Sequence, residues 1–458
     1  MSTPLPAALL AELSAFIADR MGLHFPKERW EDLASSIASA AREQGLSDAL
    51  THVQRLLSTP LSRAEIETLA SHLTVGETYF FREKQGFKAL EERVLPELIA
   101  SRRVQDRRLR IWSAGCCTGE EPYSMAMLLD RMIPDLAEWN VTILATDINP
   151  RFLEIASAGT FGEWSFRAIP EGIRDRYFSP LPGRRMQINR RIRGMVTFSL
   201  LNLAEDAYPS LVNNTNAMDI VMCRNVLMYF TSERAAHAVD NLYRSLVPNG
   251  WFLVAPCETS QVLFKDFAMV GFPDAIFYRK LAEPVPSFSV PAAPAPFQQM
   301  PQADHPQRDR TFAVVLPAPV TPPTVISPAH SAQALANQGR LAEAGEVCSR
   351  SISVDPLNAS HRFLRALVQQ EMGMLGDAVK SLEQALYLDQ DFVMAHFALA
   401  NLGKRLGRHA LSLRHYKGAL RLLETVEAGS LLPESDGITA GRLQQVIRSA
   451  MAEETPGP

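Results

Sequence analysis

The chain lacks any uninterrupted apolar run of about 18 residues, so it predicts no membrane-spanning helix. Its five cysteines, Cys116, Cys117, Cys223, Cys257 and Cys348, include no CxxC pair and no metal-ligand spacing. That pattern excludes a disulfide framework and a zinc site, and it fits a reduced, cytoplasmic protein. Positive charge is not in excess: 46 Lys and Arg face 50 Asp and Glu, a net charge of −4. Bulk attraction to a polyanion is therefore missing, and no nucleic-acid partner is expected. The opening "MSTPLPAALLAELSAFIADR" has neither a basic start nor a cleavage pattern, so no signal peptide is expected.

What is present divides along the chain. A length of 458 residues predicts two or three cores. Residues 1–70 carry apolar side chains at three- and four-residue spacing in four short stretches, the pattern of a helical subdomain. From 71 to 281 short β-rich runs ("LRIWSA", "VTILATD", "MDIVMCRN", "GWFLVAP") alternate with helical segments. That alternation predicts a mostly parallel sheet covered on both faces. An arginine-rich stretch over 161–200 looks like a partly stranded insertion. Residues 282–328 are dense in proline and read as an extended linker. Such a linker predicts two independent cores, with catalysis surviving removal of everything after it.

A repeat follows over 329–425. Gly339, Gly373 and Gly407 recur at intervals of 34, with Ala344, Ala378 and Ser412 in register. That is the period of tetratricopeptide repeats, helix pairs that stack through small residues. Residues 426–458 read as a C-terminal helix and a polar tail.

The stretch "RIWSAGCCTGEEPYSMAML", Arg110–Leu128, carries the chemistry. An apolar strand delivers small residues, and a helix follows Gly119. This is where doubly wound sheets receive nucleotides. "GCCTGEE" is neither a GxGxxG turn nor a GK[ST] phosphate loop. Glu120 and Glu121 would repel a pyrophosphate and suit a cationic ligand, although acids at a helix start are also ordinary dipole partners. Asp147 ends the second strand, where a carboxylate accepts from ribose hydroxyls or caps a turn. A phosphate-free turn, a nearby glutamate and a ribose aspartate together describe S-adenosylmethionine.

Five motifs occur in order: "LTVGETYFFRE", "WSAGCCTGEEPYSMAM", "LATDINP", "FSLLNLAED" and "MCRNVLMYF". They resemble CheR-type protein-glutamate O-methyltransferases, which methylate chemotaxis receptors, over residues from about 10 to 281. With the repeats, the chain is similar to the WspC-like branch of surface-sensing and biofilm pathways. The resemblance implies an α/β fold: an N-terminal helical subdomain, a Rossmann-like class I methyltransferase domain with a small β insertion, and C-terminal all-α repeats. Carried over by position, cofactor contacts fall on Thr78, Arg82, Glu121, Asp147, Asn202, Leu203, Arg224 and Asn225. Gly76 stands where the family often has Asn, so a backbone group would replace a side-chain contact. Arg82 and Tyr229 would be the catalytic residues, and no metal is implied.

The implied reaction moves the sulfonium methyl of S-adenosylmethionine to a glutamate oxygen, leaving S-adenosylhomocysteine. A glutamate of pKa about 4.3 is already an anion at neutral pH, so no general base is needed. No histidine is expected to be essential. The carboxylate that Arg82 would hold, the cofactor's or the substrate's, stays open. The expected partners are the cytoplasmic domain of a methyl-accepting receptor and an unidentified protein bound by the repeats. Five arginines between Arg184 and Arg193 would attract an acidic receptor helix or form a solvated face. The run Arg102–Arg110 reads as a solvated lead into the first strand. The alternative function is a non-catalytic scaffold that senses S-adenosylmethionine and binds signalling partners.

Overall fold

The computed structural model describes residues 5–46, 48–58, 61–282, 328–435 and 438–452. The expected proline-rich linker, apart from its two end positions, lies outside the described residues. Helices Ala7–Met21, Trp30–Glu43, Ala49–Ser58 and Arg63–Leu73 open the chain. Their apolar spacing brings Leu13, Ile17, Leu33, Ile37, Val53 and Leu56 into one dry cluster. Gly22 ends the first helix in the left-handed region at φ 76°, where its N–H reaches Ala18 O. Ser62 starts the fourth through a reciprocal cap with Glu65.

The strands are β1 (Arg108–Ala114), β2 (Asn140–Asp147), β3 (Thr160–Phe161), β4 (Phe178–Leu181), β5 (Arg185–Ile188), β6 (Val196–Leu200), β7 (Met218–Met222), β8 (Leu246–Leu253), β9 (Ala268–Phe272) and β10 (Ala275–Arg279). Among the described residues one sheet runs β6-β2-β1-β7-β8-β10-β9. Its β6, β2, β1, β7 and β8 are parallel, and β10 and β9 are antiparallel. The expected covered sheet is thus present: all seven residues of β1 are buried. Strand order reverses between β1 and β7, which opens a crevice at their carboxyl ends. The expected insertion is the small antiparallel sheet β3-β5-β4.

The repeat helices pair as Pro328–Asn337 with Leu341–Val354, Ala359–Glu371 with Leu375–Leu388, and Val393–Arg405 with His409–Leu423. Gly339, Gly373 and Gly407 turn each pair at φ 76°, 76° and 68°. That shared left-handed turn is the physical content of the 34-residue spacing. Ala344, Ala378 and Ser412 are fully buried, as close helix contact requires.

The repeats do not stand apart from the sheet. Glu371, at the end of Ala359–Glu371, receives Arg108 Nη2 at 3.0 Å and Arg110 Nη1 at 2.8 Å. All three side chains are at most 7% exposed. Asn140 Nδ2 donates to Glu371 O at 3.3 Å, and Leu211 joins the repeats' apolar core. Apart from Leu211 and Val212 the repeats keep an apolar cluster of their own, and this junction joins it to the sheet. The reading of Arg102–Arg110 as a solvated lead-in is corrected. Arg108 and Arg110 are buried, and Arg102 Nε bonds the fully buried Asp219 at 3.2 Å. Burial pulls the Arg110 guanidinium down to about 10, against the pull of Glu371. Arg108, Arg110 and Asn140 begin β1 and β2, so the repeats dock on the amino ends of the parallel strands.

Candidate active site

At the carboxyl ends of the same strands lies an open-mouthed cavity. β1 stops at Ala114, and Gly115 turns the chain at φ 85°. A Cβ on Gly115 would stand 2.3 Å from Val226 Cγ2, so glycine lets the loop after β7 press on this turn. Gly115 N and Cys116 N both donate to Thr146 O, at 2.8 and 2.9 Å, tying the turn to β2. Burial holds the Cys116 and Cys117 thiols protonated, Cys117 being pushed up to about 12.

Asp147 ends β2. Cys117 N and Asn149 N donate to its two oxygens at 2.8 and 2.9 Å and fix the carboxylate at the cavity edge. Burial raises its pKa to about 6 despite those bonds. The adjacent glutamates divide. Glu121 lines the cavity, accepts from Ser113 Oγ at 2.7 Å and pairs with Arg224 Nη1 at 3.0 Å. Glu120 turns away to Thr118 Oγ1 at 2.7 Å and Ser165 Oγ at 2.8 Å, which ties the helix start to the insertion. Burial raises both carboxyls, and Arg224 opposes the shift at Glu121.

Arg82 sits on a contorted turn. Phe81 and Glu83 on either side adopt φ 55° and 61°, a left-handed conformation that costs a non-glycine residue energy. Packing enforces the turn. Phe80 lies among Phe161, Phe166 and Phe178 at centroid distances of 4.8, 5.2 and 5.0 Å. Phe81 N donates to Ser124 Oγ at 2.9 Å. Arg224 Nη2 clasps Arg82 O and Glu83 Oε2, each at 2.7 Å. Arg224, its side chain 6% exposed, is therefore taken up by two carboxylates and a carbonyl. Arg82 Nη1 by contrast bonds a backbone carbonyl, Glu77 O, at 2.6 Å.

Thr78, Arg82, Glu121, Asp147, Asn202, Leu203, Arg224, Asn225 and Tyr229 all line this one cavity. Asn202 Nδ2 is turned to Arg20 O at 2.8 Å. Gly76 is not on the lining. A Cβ there would come 2.6 Å from Phe152 Cζ, so the Phe152 ring fills the space that a longer side chain would need. The five arginines of Arg184–Arg193 are exposed, with Arg191 paired to Asp130 at 2.6 Å.

Sequence reasoning missed one wall. Met21, Leu23, His24, Phe25 and Arg29 of the N-terminal subdomain line the cavity together with Phe152 and Phe230. His24 N donates to Tyr229 O at 2.7 Å, and Leu23 bridges to Phe230. No local signal marks these residues: Met21 ends the first helix, and the others follow in an irregular segment and a short turn that carry no apolar period. Glu83 was quoted within a motif, but nothing in the spacing joins it to Arg224.

The donor set fits S-adenosylmethionine. An anchored Asp147 suits a ribose diol, Glu121 suits a cation, and the apolar wall of Leu23, Phe25, Ile148 and Leu203 suits a planar base. Residues 76–275 match the family described as CheR methyltransferase, SAM binding domain, and residues 362–392 match a tetratricopeptide repeat. Over 222 residues the chain is 35% identical to a probable chemotaxis protein methyltransferase of Rhizobium etli, covering 48% of this chain and 80% of that one. Over 414 residues it is 29% identical to the probable biofilm formation methyltransferase WspC of Pseudomonas aeruginosa, covering 85% and 95%. Chemotaxis protein methyltransferase 1 of the same organism is 32% identical over 268 residues, covering 58% and 94%.

Proposed function

The chain belongs to the CheR family of chemotaxis protein methyltransferases, whose methyl donor is S-adenosylmethionine, and from that premise we propose that it esterifies receptor glutamates. The substrate in this reading is the cytoplasmic domain of a methyl-accepting receptor in a chemosensory or surface-sensing pathway. The product is a glutamate 5-O-methyl ester. When bound, S-adenosylmethionine supplies an electrophilic methyl on a sulfonium.

The observation that carries the reading is the contrast between two arginines at the cavity. Arg224 is occupied by Glu83 and Glu121. Arg82 forms no ion pair among the described residues and holds a carbonyl. It is the cation free to grip an arriving carboxylate in fixed geometry. A glutamate is already ionised at neutral pH, so the residues' task is to hold, orient and dry the anion. Arg82 grips it and Tyr229 offers it a hydroxyl. Asp147 and Asn202 bind the nucleoside end, with Leu203 beneath it. Glu121 faces the cation, while Thr78, Asn225 and the backbone near Gly76 complete the donor's surroundings. Cytoplasmic placement and a partner protein on the repeats complete the proposal.

The test is transfer of labelled methyl to purified receptor cytoplasmic domains, followed by release in base, which marks an ester. Arg82→Ala is expected to lower kcat/KM by on the order of 10²-fold or more, the loss of a charge-assisted clamp in a water-poor site. Normal turnover in that variant removes Arg82 from the mechanism. A chain that binds S-adenosylhomocysteine but methylates no receptor is the scaffold of the alternative reading.

A further inference from the structure

Glu258 lies outside every motif that marked the site, in a short turn at Pro256–Glu258 after β8. It is 7% exposed. Its carboxylate accepts four backbone N–H groups. Asn225 N and Ala255 N reach Oε2 at 2.7 and 3.0 Å. Val226 N and Met228 N reach Oε1 at 2.8 and 3.1 Å. Three of these donors belong to the loop after β7 that carries Arg224, Asn225 and Tyr229. The fourth belongs to Ala255, just past the end of β8 at Leu253, so one side chain joins the segments that follow the two strands.

The anchored loop is tightly shaped. Asn225 holds φ 58°, the left-handed region that asparagine enters more readily than other side-chain-bearing residues. Val226 is pressed into the space left by the missing Cβ of Gly115. Tyr229 then closes a tight turn onto Val226 O at 3.1 Å and receives His24 N. Shifting the three anchored amides would move Asn225, Val226 and Tyr229 together.

We propose that Glu258 is a positioning residue for methyl transfer: by taking the N–H groups of Asn225, Val226 and Met228 it sets the loop that presents Asn225 and Tyr229 to the cavity. The proposal rests on the assignment of those two residues to the reaction. A carboxylate suits the role because both oxygens only accept. An amide of the same shape would turn an NH2 toward two of the donors and leave them unmatched.

The experiment compares the full chain with Glu258→Gln, alone and combined with Tyr229→Phe. It reads S-adenosylhomocysteine affinity by calorimetry, kcat and KM on a receptor domain, and the melting temperature. Glu258→Gln is expected to weaken S-adenosylhomocysteine binding about tenfold and to lower kcat by on the order of 10²-fold, the scale of an ångström-level misplacement. Tyr229→Phe is expected to cost much less in the Glu258→Gln background than alone, because its hydroxyl is already misplaced. Loss of stability alone would leave the Tyr229→Phe factor unchanged, and that result overturns the proposal. So do affinity and kcat within twofold of the parent. Where Glu258→Gln fails to fold, Glu258→Asp keeps both oxygens but falls a methylene short. Parent-like affinity and kcat in that variant overturn the proposal equally. A parent chain that methylates no receptor refutes the receptor reading instead, and the calorimetry then decides for or against Glu258.

Discussion

Single carboxylates in this cavity do different work according to what surrounds them. Asp147 is buried with two N–H donors and a pKa raised to about 6. The folded chain keeps that proton to higher pH than the unfolded chain does, so this group's contribution to stability falls as pH rises from about 4 to about 6. Ligand binding runs the other way, since a ribose diol donates best to the ionised form. Affinity for S-adenosylhomocysteine is expected to weaken several-fold as pH drops from 7.5 to 5, and Asp147→Asn to flatten that profile. Titration calorimetry at the two pH values checks it, and a profile that stays steep in the variant removes Asp147 as the source. Asp147 and Glu121 were legible in the sequence because each sits at a strand end or helix start beside small residues. The split between Glu120 and Glu121 was not, because it depends on Ser165 in the insertion and Arg224 across the sheet. Glu258 was invisible for a related reason: what it binds is the backbone of a loop some 30 positions earlier, and backbone amides leave no mark in a sequence.

Among the elements, the repeats were the most legible, because a left-handed turn every 34 residues demands glycine and the sequence shows it. The lead into β1 was the least legible. A basic run has the composition of a solvated face wherever it occurs, and the groups that take up the Arg110 guanidinium, Glu371, Asn214 and Asn216, lie more than 100 positions away. The third helix pair holds another feature that spacing does not reveal. His396 Nδ1 and His415 Nδ1 meet at 3.0 Å between Val393–Arg405 and His409–Leu423. Burial, then His396 and Arg414, depress His415 to about 4. The unfolded chain binds a proton there that the folded chain refuses, so stability is lost as pH falls from about 6.5 to about 4. Melting curves are expected to show a drop between pH 7.5 and 5 that shrinks in His415→Gln. An equal drop in both proteins places the pH sensitivity elsewhere.

For the whole molecule the decisive contact is the junction at Glu371. Removing one partner of a buried ion pair leaves the others uncompensated and costs about 3–5 kcal/mol. Glu371→Gln is therefore expected to lower the melting temperature by several degrees. A chain ending at residue 282 strands Arg108 and Arg110 in the same way and also bares Leu211. Every residue lining the cavity lies before that point, so the shortened chain is expected to bind S-adenosylhomocysteine while melting below the full chain. Equal melting temperatures would mean that the junction contributes nothing. Proline-rich composition reads as a connection before the repeats, but composition says nothing of whether the bodies at its ends touch.

The seven residues of β1 run from that junction to the glycine turn of the cavity, a separation of roughly 20 Å at strand rise. The contact between the repeats and the sheet and the glycine turn of the cavity thus lie at opposite ends of one fully buried strand. A disturbance at the Glu371 junction therefore bears on the same strand that delivers the turn to the cavity.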